Sequence, residues 1–105
     1  MKKNFEIFEN DENLNSDDFY LRFKEKLEET HSFPSEYVFK YIIPSEQSIM
    51  GQLYSIFEDS NASFSTRDSK TGKYTSVTIK VPVSNADDVV VLYKQAANIE
   101  GIMAL

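Results

Sequence analysis

The stretch from Pro34 to Leu105 predicts an α+β fold with the element order strand–helix–strand–strand–helix–strand. Apolar and polar residues alternate at period two over Tyr37–Ile43, Ala62–Asp68 and Tyr74–Val83, the pattern of half-buried strands. Ile49, Leu53, Ile56 and Phe57, and later Val89, Leu92, Tyr93 and Ala96, recur at helical spacing. A short polar turn, Asp68-Ser69-Lys70-Thr71-Gly72-Lys73, joins the middle two strands, with Gly72 available for positive φ. This order is that of a ferredoxin-like split β-α-β sandwich: a four-stranded antiparallel sheet, order 4-1-3-2, with two helices on one face. The fold hosts many unrelated functions, so function must be argued from a site.

Residues 1–15 are rich in Asn, Glu and Asp and are expected to form a disordered or weakly ordered acidic tail. Phe5, Ile7 and Phe8 interrupt it with a short apolar segment suited to docking on this chain or on a partner. An amphipathic helix and its link follow over 16–33, ahead of the ferredoxin-like domain at 34–105. Ser16 is the expected N-cap, and Asp17 and Asp18 suit the positive end of the helix dipole. Phe19, Tyr20, Phe23 and Leu27 make one face apolar. So short a helix is marginal alone, so its stripe must cover something. The expectation is that it folds over the open face of the sheet, or over that face of a second subunit.

In the first strand Tyr37, Phe39, Tyr41 and Ile43 are expected to face the core, and Val38, Lys40 and Ile42 the other side, because Lys40 marks the wetter face. Pro44 closes that strand, and Ser45 can cap the next helix, which ends at Ser60-Asn61, with Asn61 suited to a left-handed position. In the second strand Ala62, Phe64 and Thr66 alternate with Ser63, Ser65 and Arg67. In the third, Val77, Ile79, Val81 and Val83 face in while Ser76, Thr78 and Lys80 face out, and Pro82 belongs at the strand end. Asn85 is the expected cap of the second helix, and Ile99 to Leu105 the closing strand.

Composition excludes several chemistries. The 105 residues include no cysteine and one histidine, His31. Disulfides, thiol nucleophiles, iron–sulfur clusters and two-histidine metal sites in one chain are thereby removed, leaving only carboxylate sites for calcium or magnesium. Met1-Lys2-Lys3 precedes no apolar run, and no segment reaches the length of a membrane span, so a soluble cytoplasmic protein without membrane contact is expected. The net charge is −6; residues 1–33 hold five basic and nine acidic groups, residues 34–105 six and eight. An acidic surface disfavours phosphate backbones. The local exception is Arg67, Lys70, Lys73 and Lys80 along the second hairpin.

Phe33-Pro34 leading into Phe39-Lys40, then Ser69-Lys70-Thr71-Gly72-Lys73-Tyr74-Thr75-Ser76-Val77, then Val91-Leu92-Tyr93 before a short closing strand, resemble the YbeD-like bacterial family of unassigned function. The resemblance spans about Phe33 to Leu105. It implies a ferredoxin-like sandwich similar to the ACT-type regulatory domains of amino-acid metabolism, and it brings no catalytic residues. ACT ligand sites commonly use a glycine in the loop after the first strand; here that loop is Ile43-Pro44-Ser45-Glu46.

No residue cluster marks an active site. Asp17-Asp18 and Asp87-Asp88 sit at helix starts, where the dipole accounts for them, and Glu58-Asp59 reads as an exposed helix end. Lys70-Thr71-Gly72-Lys73 joins two strands, unlike a phosphate loop, which runs from strand to helix. Tyr74, Thr75, Ser76 and Thr78 could line a polar site, but hydroxyls on a strand face are usually cross-strand pairs. No catalytic, cofactor or metal residue is therefore assigned, and no enzyme activity is expected. The reading is a non-catalytic regulatory or adaptor module for a small metabolite or a protein, with a homodimer formed through edge strands as one mode. Its partner or ligand surface is Lys40, Arg67, Lys70, Lys73, Tyr74, Ser76, Thr78 and Lys80. The weaker alternative is nucleic-acid binding through the basic 67–80 hairpin; the open face lacks the aromatic platform that RNA-recognition modules use.

Overall fold

A computed structural model of the chain describes residues 16–105; the expected tail over 1–15 with its Phe5–Phe8 segment, and the Ser16 side chain, lie outside the described residues. Helix α1 (Ser16–Thr30) leads into β1 (Ser35–Pro44), α2 (Gln47–Phe57), β2 (Ser63–Asp68), β3 (Tyr74–Val83), α3 (Ala86–Ala97) and β4 (Met103–Ala104). The strands form one antiparallel sheet in the order β2-β3-β1-β4. This is the ferredoxin-like order 4-1-3-2 read from the opposite edge. β1 and β3 pair along their whole length, from Ser35 opposite Val83 to Pro44 opposite Tyr74.

The pleat sends alternate residues to opposite faces. Phe39, Tyr41 and Ile43 of β1 and Val77, Ile79, Val81 and Val83 of β3 are buried on one face. Ile49, Leu53 and Phe57 of α2, and Ala86, Val89, Val90 and Ala96 of α3, close over them. The Phe57 ring meets Phe39 edge-on at 5.2 Å and Phe64 at 6.2 Å, tying α2 to β1 and β2. Asn61 at φ 57 and Gly72 at φ +77 take the left-handed conformations their turns require. At α3, the Asn85 side chain accepts the Asp88 N–H at 3.0 Å while the Asp88 carboxylate accepts the Ser84 N–H at 2.9 Å, a reciprocal cap. Pro82 sits opposite Glu36, beyond Lys80, where β2 pairing begins at Ser63, so no ladder bond there needs its missing N–H.

Four expectations need correction. First, α1 does not cover the open face of its own sheet. It lies beside α3: Phe23 and Tyr20 meet Tyr93 at 5.1 and 6.2 Å, the Lys24 ammonium pairs with Asp87 at 3.2 Å, and Lys94 stands 4.7 Å over the Tyr20 ring. Leu27, 3% exposed, joins the single core cluster. The physical reason is that α3 carries a second apolar flank, Leu92 and Tyr93, which β1 and β3 leave uncovered. Laying Phe19, Phe23 and Leu27 over Lys40 and Lys80 would instead strip water from two ammonium groups. Second, Ser45 is not the α2 cap. Glu46 holds that position without a side-chain hydrogen bond, because the Ser45 hydroxyl is engaged with Thr75 at 2.7 Å. Third, the buried stripe of α3 is Ala86, Val89, Val90 and Ala96, with Leu92 and Tyr93 half-buried on the α1 side. Fourth, the closing strand is only Met103–Ala104. Ile99 is buried in a turn in which its own N–H reaches Ala96, Ile102 reaches back to Ile99, and Gly101 has φ +81.

Candidate functional site

With α1, α2 and α3 all in one layer, no helix among the described residues covers the second face of the sheet. Its occupants follow from register. Across the middle, Lys40 lies opposite Thr78, which lies opposite Ser65. One row on, Met103, Ile42, Ser76 and Arg67 stand in line. On the other side come Val38, Lys80 and Ser63, then Glu36 and Pro82. The Leu105 N–H donates to the Lys40 carbonyl at 2.8 Å, which places Leu105 on this face as well.

The face is basic although the chain is acidic. Of the charged residues after Phe33, Lys40, Arg67 and Lys80 point out of the open face, against Glu36 alone. The remaining carboxylates lie elsewhere: Asp68 points to the helical side, Glu46, Glu58 and Asp59 flank α2, Asp87 and Asp88 open α3, and Glu100 sits in the loop before β4. Between the cations lie exposed apolar groups: Val38 at 41%, Met103 at 52% and Leu105 at 66%, with Ile42 half-buried.

The structure brings most of the expected surface together. Lys40, Arg67, Ser76, Thr78 and Lys80 share this face, and Tyr74 stands at its end opposite Pro44, 47% exposed. Lys70 and Lys73 lie off the sheet plane on the β2–β3 turn, which the Ser69 N–H closes onto the Tyr74 carbonyl at 2.8 Å. Sequence reasoning missed Met103, Leu105 and Glu36 as members. Alternation of Met103 and Leu105 about Ala104 was the available signal, but the register of so short a strand was not readable.

Thr75 points the other way, into a separate polar cluster. Its hydroxyl donates to the Asp68 carboxylate at 3.0 Å, so the Ser45 hydroxyl must donate to it at 2.7 Å, since Thr75 has one proton to give. The relay pins the β1–α2 loop to the base of the hairpin, reinforced by the Ser45 N–H donating to the Lys73 carbonyl at 2.9 Å. It contains no imidazole or amine to take a proton from either hydroxyl, and a carboxylate alone is a poor base for an alcohol.

Tyr41 is 3% exposed, and its hydroxyl has no hydrogen-bond partner among the described residues. Burial pushes this phenol well above the usual range, with Tyr93, Tyr37 and Tyr20 adding to the effect. The ionised form is disfavoured in the folded chain, so the native phenol keeps its proton above the ordinary pKa of about 10, where the unfolded chain loses it, and stability falls as pH rises past that value. Tyr41→Phe removes an unsatisfied group and is expected to leave unfolding free energy unchanged or raise it by up to about 1 kcal/mol, and to flatten the alkaline fall. Urea denaturation between neutral and alkaline pH reads both; a loss above about 1 kcal/mol at neutral pH would mean that the hydroxyl is satisfied.

Among the described residues no group of three or more His, Cys, Asp or Glu is placed to hold a metal ion, and no helix is long and apolar enough to cross a membrane.

The family described as "Protein of unknown function (DUF493)" matches residues 28–105, the whole sheet and both helices packed on it. The chain belongs to this family. That membership meets the YbeD-like resemblance carried by Ser69–Val77. Similar DUF493 relatives include the UPF0250 proteins of Shewanella baltica (strain OS155) and Shewanella oneidensis, each 30% identical over 80 residues, covering 73% of this chain and 91% of theirs. The solution structure of protein HP0495 from H. pylori matches with TM-score 0.58 at 15% identity, over 72% of this chain and 86% of that one, which speaks for the fold. The DUF493 match starts at Glu28: every open-face residue lies inside it, while Phe19, Phe23 and Leu27 of α1 lie ahead of it.

Proposed function

We propose that this DUF493 protein is a non-catalytic cytoplasmic adaptor whose open sheet face takes a protein segment bearing carboxylates and apolar side chains. The observation that carries this reading is the segregation of charge: a chain of net charge −6 places Lys40, Arg67 and Lys80 together on the one sheet face that no helix among the described residues covers. Lysine and arginine lay their stems along apolar surface and keep their heads free for carboxylates. Val38, Ile42, Met103 and Leu105 supply apolar area between those heads, worth about 25 cal/mol per Å² buried. Opposed charge also speeds encounter and rejects wrong partners. A protein segment suits this surface better than a small metabolite, because small ligands bind in concave pockets that enclose most of their surface. The pinned Ile43–Glu46 loop, without glycine, further weakens an ACT-like effector site. A homodimer would use the same face or the free edge of β2.

A photo-crosslinking residue placed at Val38 in the native host tests the reading. A discrete protein adduct is expected, absent when the crosslinker sits at Gln52 on α2, and reduced about tenfold or more by Lys40→Glu with Lys80→Glu. Adducts of equal yield from both positions would defeat it. Nucleic-acid binding is supported by the same cations, but Tyr74 is the sole aromatic side chain among the described residues of that face. Binding of a single-stranded RNA that survives at physiological salt and is lost in the charge-reversed variant would replace the adaptor reading.

A further inference from the structure

We infer that the partner's segment is received at the open edge of β1, from Ser35 to Phe39, where it adds to the sheet as a further strand in line with β4. This rests on the adaptor reading of the open face and says how the segment is held there. β1 runs for 10 residues, but β4, its neighbour on that side, has 2 and pairs with Tyr41 and Ile42. The Leu105 N–H donating to the Lys40 carbonyl extends that ladder by a single bond. Among the described residues no strand pairs with the edge from Ser35 to Phe39.

Parity and a proline fix which backbone groups face this gap. In an antiparallel ladder, successive residues turn their N–H and C=O groups to opposite sides. The Lys40 carbonyl points to the β4 side, so the backbone groups of Val38 and Glu36, the next even-numbered residues, point there too. Pro82 stands opposite Glu36 on β3 and has no N–H to exchange with it, which agrees with Glu36 turning its own groups outward. An extended segment can bond to the N–H and C=O of both residues, the pattern of strand addition to a sheet edge.

Side chains decide which segment fits. The helical side of the gap is aromatic and only partly covered. Phe39, Tyr41 and Ile43 are buried, but Tyr37 is half-buried, with the His31 ring 5.4 Å away and Phe33 stacked on that ring at 5.9 Å. Residues of the segment that face this side are therefore apolar. On the open side, a lysine or arginine opposite Glu36 makes a direct cross-strand pair, and a carboxylate opposite Val38 lies diagonal to Lys40. The partner is thus an extended segment that alternates apolar, acidic, apolar, basic and apolar. The outer edge of β2 is the poorer acceptor: Thr66 and Asp68 are exposed, and Phe64 already meets Tyr54 edge-on at 4.4 Å.

Titrating the full chain with the peptide acetyl-Val-Glu-Val-Lys-Val-amide, followed through its backbone amide resonances, tests this. The Val38 and Glu36 N–H signals are expected to shift, and their hydrogen exchange to slow about fivefold at ~5 mM peptide for a Kd of ~1 mM. Methylating the peptide's Glu and Lys nitrogens, the donors to the Val38 and Glu36 carbonyls, is expected to weaken binding about tenfold or more. Methylating the nitrogen of the central Val, which faces away from β1, should change it by less than about threefold. Binding that ignores methylation at both places overturns the proposal, because side chains alone would then hold the peptide. No shift at Val38 and Glu36 with about 5 mM peptide overturns it too. So does slow exchange of both N–H groups without peptide, because this chain or a second copy would already fill the edge. Each of these failures leaves the adaptor reading standing, since crosslinking at Val38 judges that separately.

Discussion

Phe57→Ala is expected to cost about 3–5 kcal/mol of unfolding free energy. Phe57 is fully buried at the C-terminal end of α2 and is one of the largest side chains in the core. Its ring presses edge-on against Phe39 from β1 and stands near-perpendicular to Phe64 from β2, so one truncation loosens a helix and two strands together. Beyond lost apolar burial, aromatic pairs of this geometry contribute about 0.5–1.5 kcal/mol each. Natural domains hold only about 5–15 kcal/mol in total, so this single change is expected to remove a large share of the stability. Urea unfolding of the full chain measures it through the shift in midpoint at constant slope. A cost near that of an exposed site, under about 0.5 kcal/mol, would mean that α2 does not close over the sheet as described.

Leu27→Ala is the second large effect, expected at about 2–5 kcal/mol. It matters more for function, because it asks whether α1 belongs to the core or merely trails the domain. Leu27 is 3% exposed and sits in the same cluster as Phe39, Tyr41 and Val89. Leu21 on the same helix is 54% exposed, and Leu21→Ala is expected to change stability by less than about 0.5 kcal/mol. The direction of packing is read separately by a double-mutant cycle between Phe23 and Tyr93, whose rings lie 5.1 Å apart. A coupling of about 0.5–1.5 kcal/mol places α1 against α3, and additivity of the two changes would remove it from there.

Much of this fold was legible because local rules and the global arrangement agree. Alternation along β1 separated Phe39, Tyr41 and Ile43 from Val38, Lys40 and Ile42, and the lysine identified the wet side. Gly72, Asn61 and Asn85 carried turn and cap chemistry that depends on a few neighbouring residues. The basic surface was legible for the same reason, since parity along β1, β2 and β3 alone puts Lys40, Arg67 and Lys80 on one face.

What failed was long-range. An apolar stripe shows that α1 buries one side, but not which surface receives it. That choice compares the uncovered flank of Leu92 and Tyr93 with the cost of desolvating Lys40 and Lys80, and both terms exist only once the sheet is assembled. Ser45 looked like a cap because a serine before a helix usually is one; its real partner, Thr75, is thirty residues away. Ile99 and Ile102 suggest a longer closing strand because they are apolar, but they serve a turn packed on the core and not pairing with β1. That error hid Met103 and Leu105 from the candidate surface.

Everything proposed for the open face depends on α1 lying in the helical layer. Paired cysteines joined by a short bismaleimide measure this directly in an otherwise cysteine-free chain. Lys24→Cys with Asp87→Cys, replacing side chains that now meet at 3.2 Å, is expected to close efficiently within one chain, whereas Lys24→Cys with Ser76→Cys should not close. Closure of the second pair in place of the first, or closure of the first only between chains at doubled mass, would contradict the account.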